Sequence, residues 1–237
     1  MENKRKLKAQ SLDSQSIFER LLALPLFQGL SVEELVRIVE GAKFEFRTES
    51  KHEVLLYQGS PLTHLSFMLQ GELIYQRRFP DFIKSTEFFT EPIAILPHCL
   101  FGKKAQSTHT IITNTDVSLL DISKQEVLTQ LMNFYVFRLT MLNYFSTIAQ
   151  ETQYFNPDEV HLNIRLVKEL RKYFISDSGR KEISINMQQL ADRLYVSRIS
   201  ISKVLRSFEE AGLLTLTRGG IVIPRFEELT KAAEKHQ

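Results

Sequence analysis

Apolar and polar positions change their period several times along this chain, and each change predicts a different element. Residues 16–24 carry the three-to-four spacing of a short amphipathic helix that Pro25 ends. Ser31 with Glu34 three residues on is a capping-box start for a helix to about Val39. From Lys43 to Ile122 the pattern breaks into short apolar, β-branched or aromatic runs, at 44–46, 54–57, 65–69, 73–75, 88–89, 93–96, 110–113 and 117–122. Gly59-Ser60-Pro61, Gln70-Gly71 and Asn114-Thr115-Asp116 punctuate these runs as turns. Short strands at such spacing predict a small antiparallel barrel or roll.

From Lys124 the period lengthens again. Phe134, Phe137, Met141, Phe145, Ile148, Thr152 and Phe155 follow steps of three or four, one stripe along a helix of roughly 22 residues that Pro157 closes. Such a stripe packs either into the core of its own domain or against a second copy; placed between a β-rich and a helical region, it is expected to be a dimer seam. Residues 161–174 read as another helix, 176–181 as a polar loop, and 182–229 as helix, turn, helix and hairpin. The expected fold is therefore α+β, with four parts. These are a basic arm (1–15), a jelly-roll-like β-roll with flanking helices (16–132), a dimerisation helix (133–156) and a C-terminal winged helix-turn-helix (157–237).

The segment 184–223 carries the strongest chemical signal. Met187 to Leu194 supplies a first helix with Leu190 and Leu194 inward and small Ala191 where two helices cross closely. Tyr195-Val196 makes the turn, and Ser197 caps a second helix whose inner face is expected to be Val204, Leu205 and Phe208. Arg198, Ser202 and Arg206 recur every four residues on another face, with Lys203 beside them, where a helix enters the DNA major groove. Two strands joined by Arg218-Gly219-Gly220 follow as a wing, with Arg218 at its tip. The candidate DNA contacts are thus Gln188, Ser197, Arg198, Ile199, Ser202, Lys203, Arg206 and Arg218. A protein-interaction module that does not bind DNA is the alternative from another class; it requires the second helix to be buried against protein.

Composition sharpens this modestly. Residues 157–237 hold 14 Lys and Arg against 11 Asp and Glu, and no acidic residue interrupts Arg193, Arg198, Lys203 and Arg206. Such a cluster suits phosphate contacts. The basic start of the chain has no apolar run after it, so it is not read as a signal peptide, and no run is long enough for a membrane helix. A cytoplasmic location is expected. A single cysteine, Cys99, precludes an internal disulfide or a Cys-rich cluster within one chain. No nucleophile elbow, Walker loop or His-Glu-x-x-His occurs, and His52, His64, His98 and His109 lack cupin spacing, so neither a catalytic nor a structural metal site is expected.

Residues 189–198 and 204–213, with Pro25-Leu26-Phe27-Gln28-Gly29-Leu30-Ser31 upstream and Gly59 and Gly71 as paired turn glycines, resemble the Crp/Fnr family of bacterial transcription regulators. The resemblance runs along nearly the whole chain. It implies a homodimer joined by a long central helix and bound to a palindromic operator on double-stranded DNA. It also implies a β-roll that controls the DNA-binding heads, and contact with RNA polymerase if the protein activates.

The departures from the family pattern matter. Ile199 stands where the family often has glutamate, so it cannot accept from cytosine N4, whereas Arg198 keeps the fork that reads guanine. Tyr195 replaces the usual turn glycine and would be strained at positive φ. In cyclic-nucleotide-binding members a Gly-Glu pair and an Arg-Ser pair hold ribose and phosphate; here Ile95-Leu96 and Gln106-Ser107 align with them. Neither replacement supplies the hydrogen bonds or charge, so cyclic AMP is not expected to bind in that manner. His98 and Cys99 in the same cassette leave a haem-based gas sensor, with His98 as ligand, as an alternative beside a metabolite effector or none.

Overall fold

The computed structural model describes residues 20–153 and 161–235. The fold is α+β and divides into two compact units. One comprises the chain up to Leu73 with Thr90–Thr108 and Thr113–Glu151; the other comprises Ile74–Phe89, His109–Ile112 and the chain from Thr152 onward. The segments 74–89 and 109–112, which lie within the range 16–132 read as the roll, fall in the second unit.

In the first unit, helix α1 (Val32–Gly41) begins at the anticipated box, with Ser31 Oγ accepting from Glu34 N at 3.2 Å and Glu34 Oε2 accepting from Ser31 N at 2.8 Å. An antiparallel sheet follows in the order β1 (Glu45–Glu49), β8 (Val117–Ser123), β3 (His64–Gln70), β6 (Ile93–Ile95). Leu65, Phe67, Leu120 and Ile122 alternate onto one buried face, and the Phe27 ring lies 5.6 Å from Phe67 and 5.5 Å from Phe137. Burying each such ring contributes roughly 2–3 kcal/mol. Gly71 holds φ +102 where β3 turns back, and a Cβ there would come within 2.5 Å of the Asp116 carbonyl. No larger residue fits that turn.

After helix α2 (Lys124–Thr129), helix α3 spans Tyr135–Gln153. Phe134 precedes it, Phe155 falls outside the described residues, and the side chain of Thr152 is not described. Phe137 and Met141 are almost fully buried within the protomer, Phe145 and Ile148 half-buried. The first turns of the predicted seam thus face the unit's own core, and a partner cannot reach Phe137 or Met141. Among the described residues, the large apolar side chains left exposed on this helix are Tyr135, Leu139 and Leu142, on a different face.

In the second unit, strands β10 (Thr215–Thr217), β11 (Gly220–Ile223), β9 (Lys181–Ser184), β5 (Lys84–Phe89), β4 (Leu73–Arg78) and β7 (Thr110–Thr113) lie in that order in one sheet. The pairing of β5 with β9 runs from Lys84 opposite Ser184 to Glu87 opposite Lys181. Lys181 was expected in a polar loop, yet it opens β9 with its side chain fully buried. Glu87 is the reason. Its carboxylate accepts from Lys181 Nζ at 2.8 Å and from the amides of Ile175 and Ser176 at 2.8 and 3.1 Å.

Candidate nucleic-acid interface

Among the described residues, four helices build the C-terminal head: α4 (Leu162–Arg171), α5 (Met187–Leu194), α6 (Arg198–Glu210) and α7 (Phe226–Lys235). A capping box starts α5, with Asn186 Oδ1 accepting from Gln189 N at 2.8 Å and Gln189 Oε1 accepting from Asn186 N at 2.9 Å. At its other end Tyr195 adopts φ 54, ψ 45, the left-handed conformation that a glycine would take freely. Arg165 on α4 donates to the Leu194 carbonyl, satisfying one of the carbonyls left open there.

Ser197 then caps α6, accepting from Ser200 N at 3.0 Å. The inner face of α6 is Ile201, Leu205 and Phe208; Val204 is only partly buried at its edge. Val204, expected on the inner face, gives way to Ile201, which lies one helical turn before Leu205.

The outer face is open to solvent. Arg198, Ile199, Lys203 and Arg206 are exposed, Ser202 is partly exposed, and the first turn of α6 holds no acidic side chain. The positive end of the helix dipole and exposed Arg198, the first residue of α6, thus bring positive charge to the same end of the helix. Arg198 also lines, with Gln188, Thr217 and Gly219, a groove of about 430 Å³ floored by Leu190 and Leu205. The start of α6 and the hairpin tip thus flank one depression. In the wing, Gly219 takes φ +90, and a Cβ on Gly220 would meet the Ile183 carbonyl at 2.7 Å. Arg218 is exposed between them and the strands.

Two expected contacts are partly engaged elsewhere. Gln188 Nε2 donates to Asp192 Oδ1 at 2.7 Å, and the Ser197 hydroxyl serves its cap. Arg193, counted in the basic cluster, meets Asp81 Oδ2 at 3.3 Å, and Gln189 Nε2 donates to the Asp81 carbonyl at 2.9 Å. Asp81 and Phe82 form the tip between β4 and β5, both at positive φ. Nothing in the local sequence pattern near Asp81 announced this contact.

The effector-cassette residues lie in the first unit. Ile95 and Leu96 are buried, Leu96 with φ 47, and Pro97–Cys99 form a single 3-10 turn. The buried Cys99 thiol sits 3.5 Å from Thr108 Oγ1, and the His98 ring centroid 6.4 Å from that of Tyr144. Gln106 is exposed. Ser107 is buried, its amide donating to the Ser60 carbonyl at 2.8 Å and its carbonyl accepting from Gly59 N at 2.7 Å.

Comparison with known proteins agrees with the geometry of the head. Residues 164–232 match the family model described as a Crp-like helix-turn-helix domain, and that segment is a domain of this type. No curated protein matches the chain. Among solved structures, the catabolite activator protein of Thermus thermophilus aligns at 19% identity over 90% of this chain and 99% of its own, with a TM-score of 0.45. DNR from Pseudomonas aeruginosa aligns at 20% identity over 89% of this chain and 95% of its own, with a TM-score of 0.44. A second Thermus thermophilus protein, a transcriptional regulator of the CRP/FNR family, aligns at 17% identity over 80% of this chain and 98% of its own, with a TM-score of 0.38.

Proposed function

We propose that this protein is a DNA-binding transcription regulator of the Crp/Fnr type that binds a palindromic operator as a homodimer, with its β-roll region controlling DNA binding through an effector other than cyclic AMP. The observation that carries the reading is the Crp-like domain at residues 164–232, whose helix α6 leaves Arg198, Ile199, Lys203 and Arg206 exposed beside the wing. A head used only as a protein-interaction module has no need of a basic, acid-free helix start flanked by a basic wing tip.

In this reading Arg198 contacts a guanine edge, Lys203, Arg206 and Arg218 contact phosphates, and Ser202 supplies a hydroxyl to the groove. Ser197 positions the helix through its cap, and Gln188 approaches the backbone from α5. The dimer forms along α3. RNA polymerase is a further partner where the protein activates.

The test uses the full chain and a pool of random duplexes from which bound sequences are selected. The proposal expects enrichment of two-fold symmetric sites, and log K falling steeply and linearly with log salt concentration. Arg198→Ala is expected to relax preference at one base pair per half-site with a loss of ~1–3 kcal/mol, and Arg218→Ala to weaken all sequences alike. Binding that ignores salt, or no enrichment, overturns it.

A further inference from the structure

The groove between the starts of α5 and α6 and the tip of the β10–β11 hairpin holds about 430 Å³, the size of a small-ligand site. Among the described residues twelve line it; six of these are apolar and none is acidic. Ile185, Leu190, Leu205 and Ile221 are buried at its base, whereas Met187 on α5 and Leu216 on β10 are only half-buried and form walls that a ligand can reach. A phosphodiester strand is charged and hydrated, and it offers little to such walls.

Among the described residues Arg198 is the one cation of the lining, and it is exposed. The other long polar side chains there are engaged: Asn186 Oδ1 accepts from Gln189 N, and Gln188 Nε2 donates to Asp192 Oδ1 at 2.7 Å. Neither α5 nor α6 carries an acidic residue in its first turn, and both helices begin at this groove, so their positive ends add to the charge of Arg198. One positive charge beside an apolar wall matches a monoanion with an apolar tail. A carboxylate fits the guanidinium fork with two parallel hydrogen bonds, whereas a dianion would be left half-neutralised.

We propose that this groove binds a straight-chain carboxylate of medium length, with its carboxylate on Arg198 and its alkyl chain along Met187 and Leu216, and that the bound ligand excludes DNA because Arg198 is occupied. A dry cavity of about 150 Å³ takes benzene, so roughly ten non-hydrogen atoms fill a little over half of the open groove. Octanoate has that size. The binding site stands apart from the DNA-binding function proposed above, and only the exclusion of DNA rests on it. Because the site lies in the head, its occupation acts on DNA binding directly.

The test is a titration of the full-length protein, without DNA, with sodium octanoate below its micelle-forming concentration, followed by NMR of the Met and Leu methyl groups. Saturable one-to-one shifts at Met187 and Leu216 are expected. 1-Octanol and octylammonium chloride share the tail and sodium acetate shares the head; each is expected to bind more weakly by about ten-fold or more, having lost either the charge-assisted contact or the covered chain. Arg198→Gln is expected to lose about ten-fold or more in affinity. Met187→Glu keeps Arg198, sets a carboxylate at a helix start that tolerates one, and is expected to abolish the shifts. Octanoate at about ten times its own Kd is then expected to weaken duplex binding about ten-fold. Equal binding of 1-octanol overturns the anion assignment. Shifts that survive both variants place the ligand elsewhere, and the absence of saturable shifts leaves no site; either result overturns the proposal. Duplex binding that octanoate leaves unchanged overturns the exclusion of DNA, whereas a chain that binds octanoate and no duplex refutes the DNA-binding function and keeps the site.

Discussion

Lys181 and Glu87, 94 residues apart in the chain, form an ion pair in which neither side chain reaches solvent. The pair sits where β5 meets β9, and Phe89 and Phe174 rings flank the Lys181 ammonium at 5.4 and 5.8 Å. Two buried charges are tolerable here because Glu87 also accepts two backbone amides. Removing one partner strands the other. Glu87→Gln and Lys181→Met are each expected to cost about 3–5 kcal/mol in denaturant unfolding, and the double variant much less than their sum. Single variants within about 1 kcal/mol of wild type would show that the pair contributes little.

Tyr173 gives the head a defined response to alkaline pH. Its ring packs edge-on to Phe79 at 5.0 Å, and burial first, then the negative charge of Glu169, push its pKa up to about 12. The unfolded phenol titrates near 10. The folded state therefore keeps a proton that the unfolded state loses, so this stabilisation is complete below about pH 10 and disappears as pH rises through about 12. Tyr173→Phe is expected to remove that part of the alkaline loss, on the order of 1 kcal/mol after allowance for solvent screening, when unfolding is followed between about pH 9 and 12.

Tyr195 pays for its left-handed conformation with about 1–2 kcal/mol of strain. The side chain is 93% exposed and has little packing to lose. Tyr195→Gly relieves the strain, offset in part by the greater freedom of an unfolded glycine. A net gain of about 0.5–1 kcal/mol is expected, read as a rise of a few degrees in Tm.

These three sites differ in how far the chain betrays them. The strain at Tyr195 was legible, because a helix-turn-helix turn wants a glycine and the sequence offers tyrosine. The Ser31–Glu34 box, the bounds of α5 at Met187–Leu194 and the Ser197 cap were legible for a similar reason: short-range hydrogen bonds leave a short-range spacing. Asn186 with Gln189 had the same spacing and could have been found. Lys181 could not. It follows Ser-Asp-Ser-Gly-Arg, and a lysine in such company reads as solvated until Glu87 arrives from a distant strand. The Arg193–Asp81 contact was hidden in the same way. The stripe through Phe137 and Met141 gave the right helix, but these two residues, expected in a dimer seam, are covered within the protomer, since periodicity identifies a face and not its neighbour.

Ile199 is 69% exposed at the start of α6, next to Arg198. An exposed apolar group at that depth in a major groove finds its match in the thymine methyl. Given the DNA-binding function proposed above, the base pair read by Ile199 is expected to be T·A. Ile199→Glu should move the preference toward C·G, whose cytosine N4 offers a donor, with a discrimination change of about 1–3 kcal/mol. Competition between operator variants measures it, and an unchanged preference removes Ile199 from the readout.

Along α3 the apolar residues divide into two sets with different fates. Phe137 and Met141 are buried in the protomer, whereas Tyr135 and Leu142 are 67% and 61% exposed, with Leu139 between them at a spacing of four and three. Exposed residues at that spacing form a continuous strip, as a helix–helix seam requires. Leu142→Glu places a charge in the strip and leaves the core intact. Sedimentation is expected to show monomers with thermal stability of the isolated fold retained. Met141→Ala is expected to do the reverse, costing about 2–5 kcal/mol through a core cavity while the surviving folded protein still dimerises. If Leu142→Glu remains dimeric, the contact between copies runs elsewhere than Tyr135, Leu139 and Leu142.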